Sequence, residues 1–232
     1  MTIRALFIDL AGVIIDTSVM PAQWQRLIGE FLGPRLGGDA DAWKAANVYA
    51  AERMWARLRD PGGTPREVQG RLRRLWLREM CEHVGVPVPR NAGAVAEETV
   101  RWVTERVVAP MPGAVDALRA LHRAGYSLYT STGNPSVDTD GYLRALGVRQ
   151  LFERTYGIDV VDRWKTSSAF YRAILADSGV DGRDAATVDD SEQRLDWARK
   201  AGFARTFLVA PRGTPCAHEV IASLMELTER LS

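Results

Sequence analysis

With 232 residues, 46% hydrophobic and 25% charged, the chain has the composition of a globular protein with one good core, or a core plus a small accessory domain. Its formal net charge of +1 gives no global field to draw nucleic acid or an anionic membrane, and neither is expected as a partner. No run approaches the roughly 18 unbroken apolar residues of a membrane span. Asp9 and Asp16 interrupt any secretory h-region near the start, and Cys81 and Cys216 fit no metal or disulfide framework. The expected compartment is therefore a reducing cytoplasm. No feature of the chain specifies an oligomeric state.

The first element is a short apolar run, Arg4 to Ile8, which ends on Asp9 and is followed three residues later by Gly12, where the backbone can turn sharply. Residues from about 19 to 108 contain no convincing strand and read as helices. Asp39 or Asp41 can cap a helix with Ala46, Ala50, Met54 and Leu58 on one face. Asp60-Pro61-Gly62-Gly63 breaks it, and Thr64-Pro65-Arg66-Glu67 carries a cap, a proline at the first helical position and a Glu three residues after the cap. The next helix aligns Val68, Leu72, Leu75, Trp76 and Met80, and a last one from about Asn91 aligns Val100, Val103 and Val107. Trp24, Trp43, Trp55, Trp76 and Trp102 fall in this insert and are expected to fill the core of a small bundle.

From Pro110 helices and strands alternate. Helices are expected after Pro112-Gly113, before Gly147, over 167–177, and before Gly202; strands are expected over 126–131, 155–159, 185–188 and 203–209. An amphipathic helix over 218–231 closes the chain. Alternation of this kind means α/β: a doubly wound, Rossmann-like parallel sheet covered on both faces. The expected domains are a catalytic core of residues 1–17 and 109–232, and an inserted α-helical cap of residues 18–108.

Ligands of an open parallel sheet bind at the carboxyl ends of its strands. Asp9, Thr132, Lys165 and the pair Asp189-Asp190 all fall at strand ends or loop starts on that edge. Each has an ordinary structural reading: a turn former, a solvated charge, a helix cap. Together they have a chemical one. A carboxylate cluster from two strands can bind a hard divalent ion, usually Mg²⁺. A hydroxyl and a Lys nearby would hold the oxygens of a tetrahedral anion, and Asp9 would attack phosphorus to form an aspartyl-phosphate.

The chain resembles the haloacid dehalogenase superfamily of hydrolases over its whole length. Phe7-Ile8-Asp9-Leu10-Ala11-Gly12-Val13 is similar to the family's first motif, whose leading Asp is the nucleophile. Ser127-Leu128-Tyr129-Thr130-Ser131-Thr132 is similar to the second, Trp164-Lys165-Thr166 sits where the family has its Lys, and Thr187-Val188-Asp189-Asp190-Ser191 is similar to the fourth. The resemblance implies Asp9, Thr132 and Lys165 as catalytic residues, with Gly133 and Asn134 as substrate-binding candidates. It implies Mg²⁺ held by Asp9, the backbone carbonyl of Ala11 and Asp190, with Asp189 a further candidate ligand. It also implies a cap that closes over the site, and a small anionic substrate, most simply a phosphorylated metabolite.

Three departures bear on the reaction. The prolines that commonly follow the family's Lys are absent. Phosphatases of the family carry a second Asp two residues after the nucleophile, as general acid and base; here that residue is Ala11. The further carboxylate often found four residues past the metal Asp is here Arg194. Readings that stay open are a phosphatase restricted to good leaving groups, a carbon–phosphorus or carbon–halogen bond hydrolase, and a non-catalytic binder. A carbon–phosphorus hydrolase would need a cap lysine to condense with an aldehyde, and Lys44 is the one in the insert; a solvated helix lysine is its ordinary reading. A dehalogenase would carry an aromatic residue in place of Ala11 and need no metal. Residues 51–78 hold eight Arg against three acids, which would attract an anion or simply form a solvated face.

Overall fold

The computed structural model describes residues 3–231. They form two compact units, one comprising the chain up to Thr17 together with everything from Val108 onward, the other Ser18–Val107. No helix among the described residues is long and apolar enough to cross a membrane.

The first unit is a parallel sheet with helices between its strands. Strand β1 (Ala5–Ile8) is buried along its whole length, as a strand covered on both faces must be. After the insert come α5 (Ala114–Arg123), β2 (Ser127–Thr130), α6 (Ser136–Ala145), β3 (Phe152–Arg154), α7 (Ser168–Ser178), β4 (Ala185–Asp189), α8 (Glu192–Ala201), β5 (Arg205–Val209), β6 (Glu219–Ile221) and α9 (Leu224–Arg230). The six strands lie in the order β3-β2-β1-β4-β5-β6, all pairs parallel. The chain winds one way from β1 to β2 and β3, then returns to β4 on the other side, so β1 sits at the topological switch point. An aromatic cluster fills one side of this core: Phe7 stacks on Tyr129 at 4.8 Å and meets Phe203 edge-on at 5.2 Å. This is the doubly wound α/β architecture with a helical insertion that the alternation implied.

Two elements differ from expectation. The strand expected over 155–159 lies earlier, at Phe152–Arg154. Residues 155–158 instead give up their backbone groups to the loops of the sheet edge: the Tyr156 carbonyl accepts from Thr132 N at 3.0 Å, and Ile158 N donates to the Asn134 carbonyl at 3.3 Å. The closing segment is not one helix. Glu219–Ile221 pairs with β5 as an edge strand, secured across the strands by Arg205 and Glu219 at 2.7 Å, and only Leu224–Arg230 is helical.

The second unit is α1 (Met20–Leu36), α2 (Ala40–Leu58), α3 (Pro65–Val84) and α4 (Ala92–Thr104). Each helix packs on the next and α4 returns to α1. Asp39 caps α2 by accepting from Ala42 N at 2.8 Å, and Thr64 with Glu67 forms the capping box that opens α3. The tryptophans do not all fill the bundle. Trp43 is fully buried, its indole N–H donating to the Gly37 carbonyl at 2.8 Å, and Trp76 donates to Asn47 Oδ1 at 3.1 Å. Trp24 and Trp102 are half-buried, and Trp55 is 63% exposed.

Glu79 on α3 is buried and ties α2 to α3 by accepting from Arg57 Nη2 at 2.5 Å, with Arg53 Nε at 3.4 Å. The Arg57 hydrogen bond holds the Glu79 carboxyl below its usual 4.5. Glu79→Gln is expected to destabilise this unit by about 1–3 kcal/mol at neutral pH, measured by chemical denaturation. A depressed carboxylate contributes fully above its unfolded value and loses that contribution as pH falls through the folded one. The gap between wild type and variant should therefore narrow once pH drops below 4.5. A gap that is constant with pH would contradict the pairing.

Candidate active site

Register places the chemistry. Ile8 lies opposite Thr130 of β2 and Val188 of β4, so the three strands reach the carboxyl edge in register, β4 running one residue further to Asp189. The chain continues that pairing for one more step on each side: Asp9 N donates to the Val188 carbonyl at 2.9 Å and Ser131 N to the Ile8 carbonyl at 3.0 Å. Asp9, Ser131-Thr132 and Asp189-Asp190 thus emerge together at the carboxyl edge. Beyond Asp9 the backbone turns tightly, with Gly12 N donating to the Ile15 carbonyl at 2.9 Å and Gly12 at φ +74°. A β-carbon on Gly12 would overlap Asp190 Oδ2, so this glycine is what lets Asp190 approach the turn.

Lys165 joins the two strand ends. Its side chain is almost wholly buried, and the ammonium lies 3.1 Å from Asp9 Oδ1 and donates to Asp189 Oδ2 at 2.6 Å and to the Ser131 carbonyl. One cation therefore ties β1, β2 and β4 at the site. Asp189, which is fully buried, uses its other oxygen to accept from Ser191 N at 3.0 Å. Both its oxygens are engaged, so Asp189 anchors Lys165 and the turn into α8. Asp190, with its side chain 43% exposed, stands free of that duty.

Arg194, one turn into α8, supplies a second cation. Its Nη1 lies 3.3 Å from Asp9 Oδ2, 3.7 Å from Asp189 Oδ1 and 3.9 Å from Asp190 Oδ1. With all groups ionised, three carboxylates face two cations. Burial pushes the Asp9 carboxyl above its ordinary value; Lys165 opposes that shift, Asp189 adds to it, and Arg194 opposes it again. Burial likewise raises Asp190, with the charge of Asp9 adding and Arg194 subtracting. The neighbouring Tyr171 hydroxyl is buried, and burial together with the charges of Asp189 and Asp9 keeps it protonated.

The donor set fits a hard divalent ion. One oxygen from each of Asp9, Asp189 and Asp190 lies within 4.8 Å of the others. Asp9 Oδ1 is buried, and the Lys165 ammonium lies 3.1 Å from it, an ion pair without hydrogen-bond geometry. Such an oxygen is available to a metal.

Thr132 is buried just past the end of β2, and its hydroxyl accepts from Asn134 N at 3.2 Å, which closes the turn carrying Gly133 and Asn134. Two residues with no individual motif signal hold this turn. Asp159 accepts from Ser136 N at 2.7 Å and from Ser136 Oγ at 2.6 Å, at the start of α6. Gly157 lies so close that a β-carbon there would overlap the Asn134 carbonyl. Lys44, in the helical unit, pairs with Asp41 at 2.7 Å, and both are exposed.

A carboxylate thus stands at the switch point of a parallel sheet, clasped by a buried lysine that also holds Asp189, with Asp190 beside it. The chain belongs to the haloacid dehalogenase-like hydrolases, whose family model matches residues 3–202. No curated protein matches it by sequence. Solved structures share the fold along nearly the full length. The Bacillus subtilis protein YfnB, bound to magnesium, is 19% identical with a TM-score of 0.66, each chain covered to 100%. The defluorinating L-2-haloacid dehalogenase Rha0230 is 16% identical with a TM-score of 0.68, covering 99% of this chain and 95% of that one. The L-2-haloacid dehalogenase of Xanthobacter autotrophicus with chloropropionic acid covalently bound is 14% identical with a TM-score of 0.60, with 98% of each chain covered.

Gly12→Ala tests the turn that admits Asp190. The left-handed backbone alone should cost about 1–2 kcal/mol, and the overlap with Asp190 Oδ2 should add to it. The expected result is a lower melting temperature in thermal unfolding; an unchanged one would contradict the close approach.

Proposed function

We propose that the protein hydrolyses a small phosphorylated metabolite through an aspartyl-phosphate on Asp9. The observation that carries this reading is the buried clasp of Lys165 on Asp9 and Asp189 beside the acidic pair. In the first step an Asp9 oxygen attacks phosphorus, the bond to the leaving oxygen breaks, and that oxygen departs with the electron pair. In the second, water attacks the phosphorus of the aspartyl-phosphate, releasing inorganic phosphate and restoring Asp9. Lys165 and the Thr132 hydroxyl are suited to hold phosphoryl oxygens as charge builds on them. Gly133 and Asn134 line the same turn and would contact the substrate. Asp9, the Ala11 carbonyl and Asp190 would hold Mg²⁺, with Asp189 chiefly bound to Lys165; the ion would neutralise charge on the transferring group.

Ala11 leaves no side chain to protonate the leaving oxygen. A positioned acid contributes typically about 10²–10⁴-fold, so the reading favours substrates whose leaving group departs unprotonated, such as aryl or acyl phosphates. Asp9→Asn is expected to abolish release of p-nitrophenol from p-nitrophenyl phosphate, and undiminished release would remove Asp9 as nucleophile. Ala11→Asp should raise turnover of alkyl phosphates, by up to about 10²-fold, the lower end of that range; an unchanged rate would mean that the acid comes from another group.

A second reading has its own support. Arg194 Nη1 at 3.3 Å from Asp9 Oδ2 puts a second cation beside the nucleophile, and several structural neighbours are L-2-haloacid dehalogenases. In that chemistry an Asp9 oxygen attacks carbon, halide leaves with the bonding pair, and water cleaves the resulting ester at the Asp9 carbonyl carbon. A panel of phosphate esters and 2-haloacids, assayed with Mg²⁺ and with a chelator, separates the two. Mg²⁺-dependent phosphate release is the expected result. Halide release in chelator would establish the second reading, and silence throughout would favour a binding protein. The exposed Lys44–Asp41 pair lends no support to carbon–phosphorus cleavage.

A further inference from the structure

We propose that Arg194 is a tethered competitor for the divalent cation: its guanidinium occupies the space among Asp9, Asp189 and Asp190 and must swing out before a metal enters. The proposal rests on the reading of that cluster as a cation site. The three carboxylate oxygens that could converge on an ion lie within 4.8 Å of one another. A single nitrogen, Arg194 Nη1, lies 3.3, 3.7 and 3.9 Å from an oxygen of each of the same three residues. Mg²⁺ takes oxygen ligands at about 2.0–2.1 Å in near-octahedral geometry, and a guanidinium nitrogen this near all three carboxylates competes for the space that an ion held by them would need.

The hold is loose, as a displaceable group requires. Charge-assisted N–H···O bonds run to about 2.7–2.9 Å, and none of the three contacts is that short; only the one to Asp9 has hydrogen-bond geometry. The Arg194 side chain is 37% exposed, so a path to solvent is open. Arg194 lies in the first turn of α8, four residues after Asp190 in the loop before it, and its long side chain folds back to that carboxylate at 3.9 Å. Lys165 is the contrast: almost wholly buried and bonded to two strands, it is a permanent part of the site. With Arg194 in place the acidic cluster is partly neutralised without metal, and a divalent ion must displace one positive charge to bind.

The test is Mg²⁺ binding by isothermal titration calorimetry on the intact, metal-stripped protein, independent of turnover. Arg194→Gln should bind Mg²⁺ at least about tenfold more tightly than wild type, the order expected when a like charge is removed from about 4 Å at a partly exposed site. Arg194→Lys, which keeps the charge, should stay much closer to wild type. Adding Asp190→Asn to Arg194→Gln should cancel the gain, placing it at this cluster, and far-UV circular dichroism with thermal unfolding confirms that each variant is folded. If folded Arg194→Gln binds Mg²⁺ no more tightly than wild type while phosphate release still requires the metal, the competitor role is overturned and the phosphatase reading stands. If neither form binds Mg²⁺ at millimolar concentration, the competitor role falls and the metal-dependent reading falls with it.

Discussion

The site depends on one buried cation. The Lys165 ammonium is taken out of water and held by Asp189, by the Ser131 carbonyl and, at 3.1 Å, by Asp9. An ammonium buried so fully is tolerated only because it is paired; removing one partner of a buried pair typically costs about 3–5 kcal/mol. That need explains why β1, β2 and β4 must reach the carboxyl edge in register. A one-residue slip of β1 against β4 would turn Asp9 to the other face of the sheet and leave the ammonium facing a single carboxylate. The clasp also acts on the ionisation of Asp9. Burial pushes the Asp9 carboxyl above its ordinary value, and Lys165 and Arg194 work against that shift.

Two departures from the family's pattern, Ala11 and Arg194, bear on the proposed chemistry. Ala11 removes a group that would move a proton, while Arg194 introduces a charge where a further carboxylate is often found in the family. Both changes shift the balance from acid–base work toward electrostatic work. Asp9, the buried lysine and the acidic pair remain, and these are what the proposed covalent step on Asp9 needs. On the proposed reading the departing group leaves without help, as an aryl or acyl phosphate oxygen or a halide can. The two readings of function differ in the atom that Asp9 attacks, not in the identity of the nucleophile.

Much of this was legible in the sequence because burial on both faces of a parallel sheet leaves a strong signature. Ala5 to Ile8 and Ala185 to Val188 are uninterrupted apolar or small runs that end on carboxylates, and the scarcity of lysine made Lys165 stand out. The segments that were misread carry signals that tertiary contacts override. Tyr156 and Ile158 alternate like strand residues because both are buried, yet their backbone groups serve Thr132 and Asn134 and not a ladder. Glu219–Ile221 lies within a helix-like period but pairs with β5, where Arg205 meets Glu219. Trp55, expected in the bundle core as a tryptophan of the insert, lies off the apolar face of α2 and is exposed. At the site, Arg194 was visible as a departure from the family's pattern, but its place among three carboxylates depends on the fold of its side chain over α8, which no spacing rule specifies. Gly157 and Asp159 were hidden for a related reason, since they act on a turn more than twenty residues earlier in the chain.

The central claim is that Asp9 becomes covalently attached to the substrate. It is tested most directly by quenching the enzyme in acid during turnover of p-nitrophenyl phosphate and mapping the digested protein by mass spectrometry. The account predicts the mass of one phosphoryl group on the peptide containing Asp9, discharged by hydroxylamine as an acyl phosphate would be. Turnover with that peptide unmodified and a phosphoryl group on another residue would contradict it.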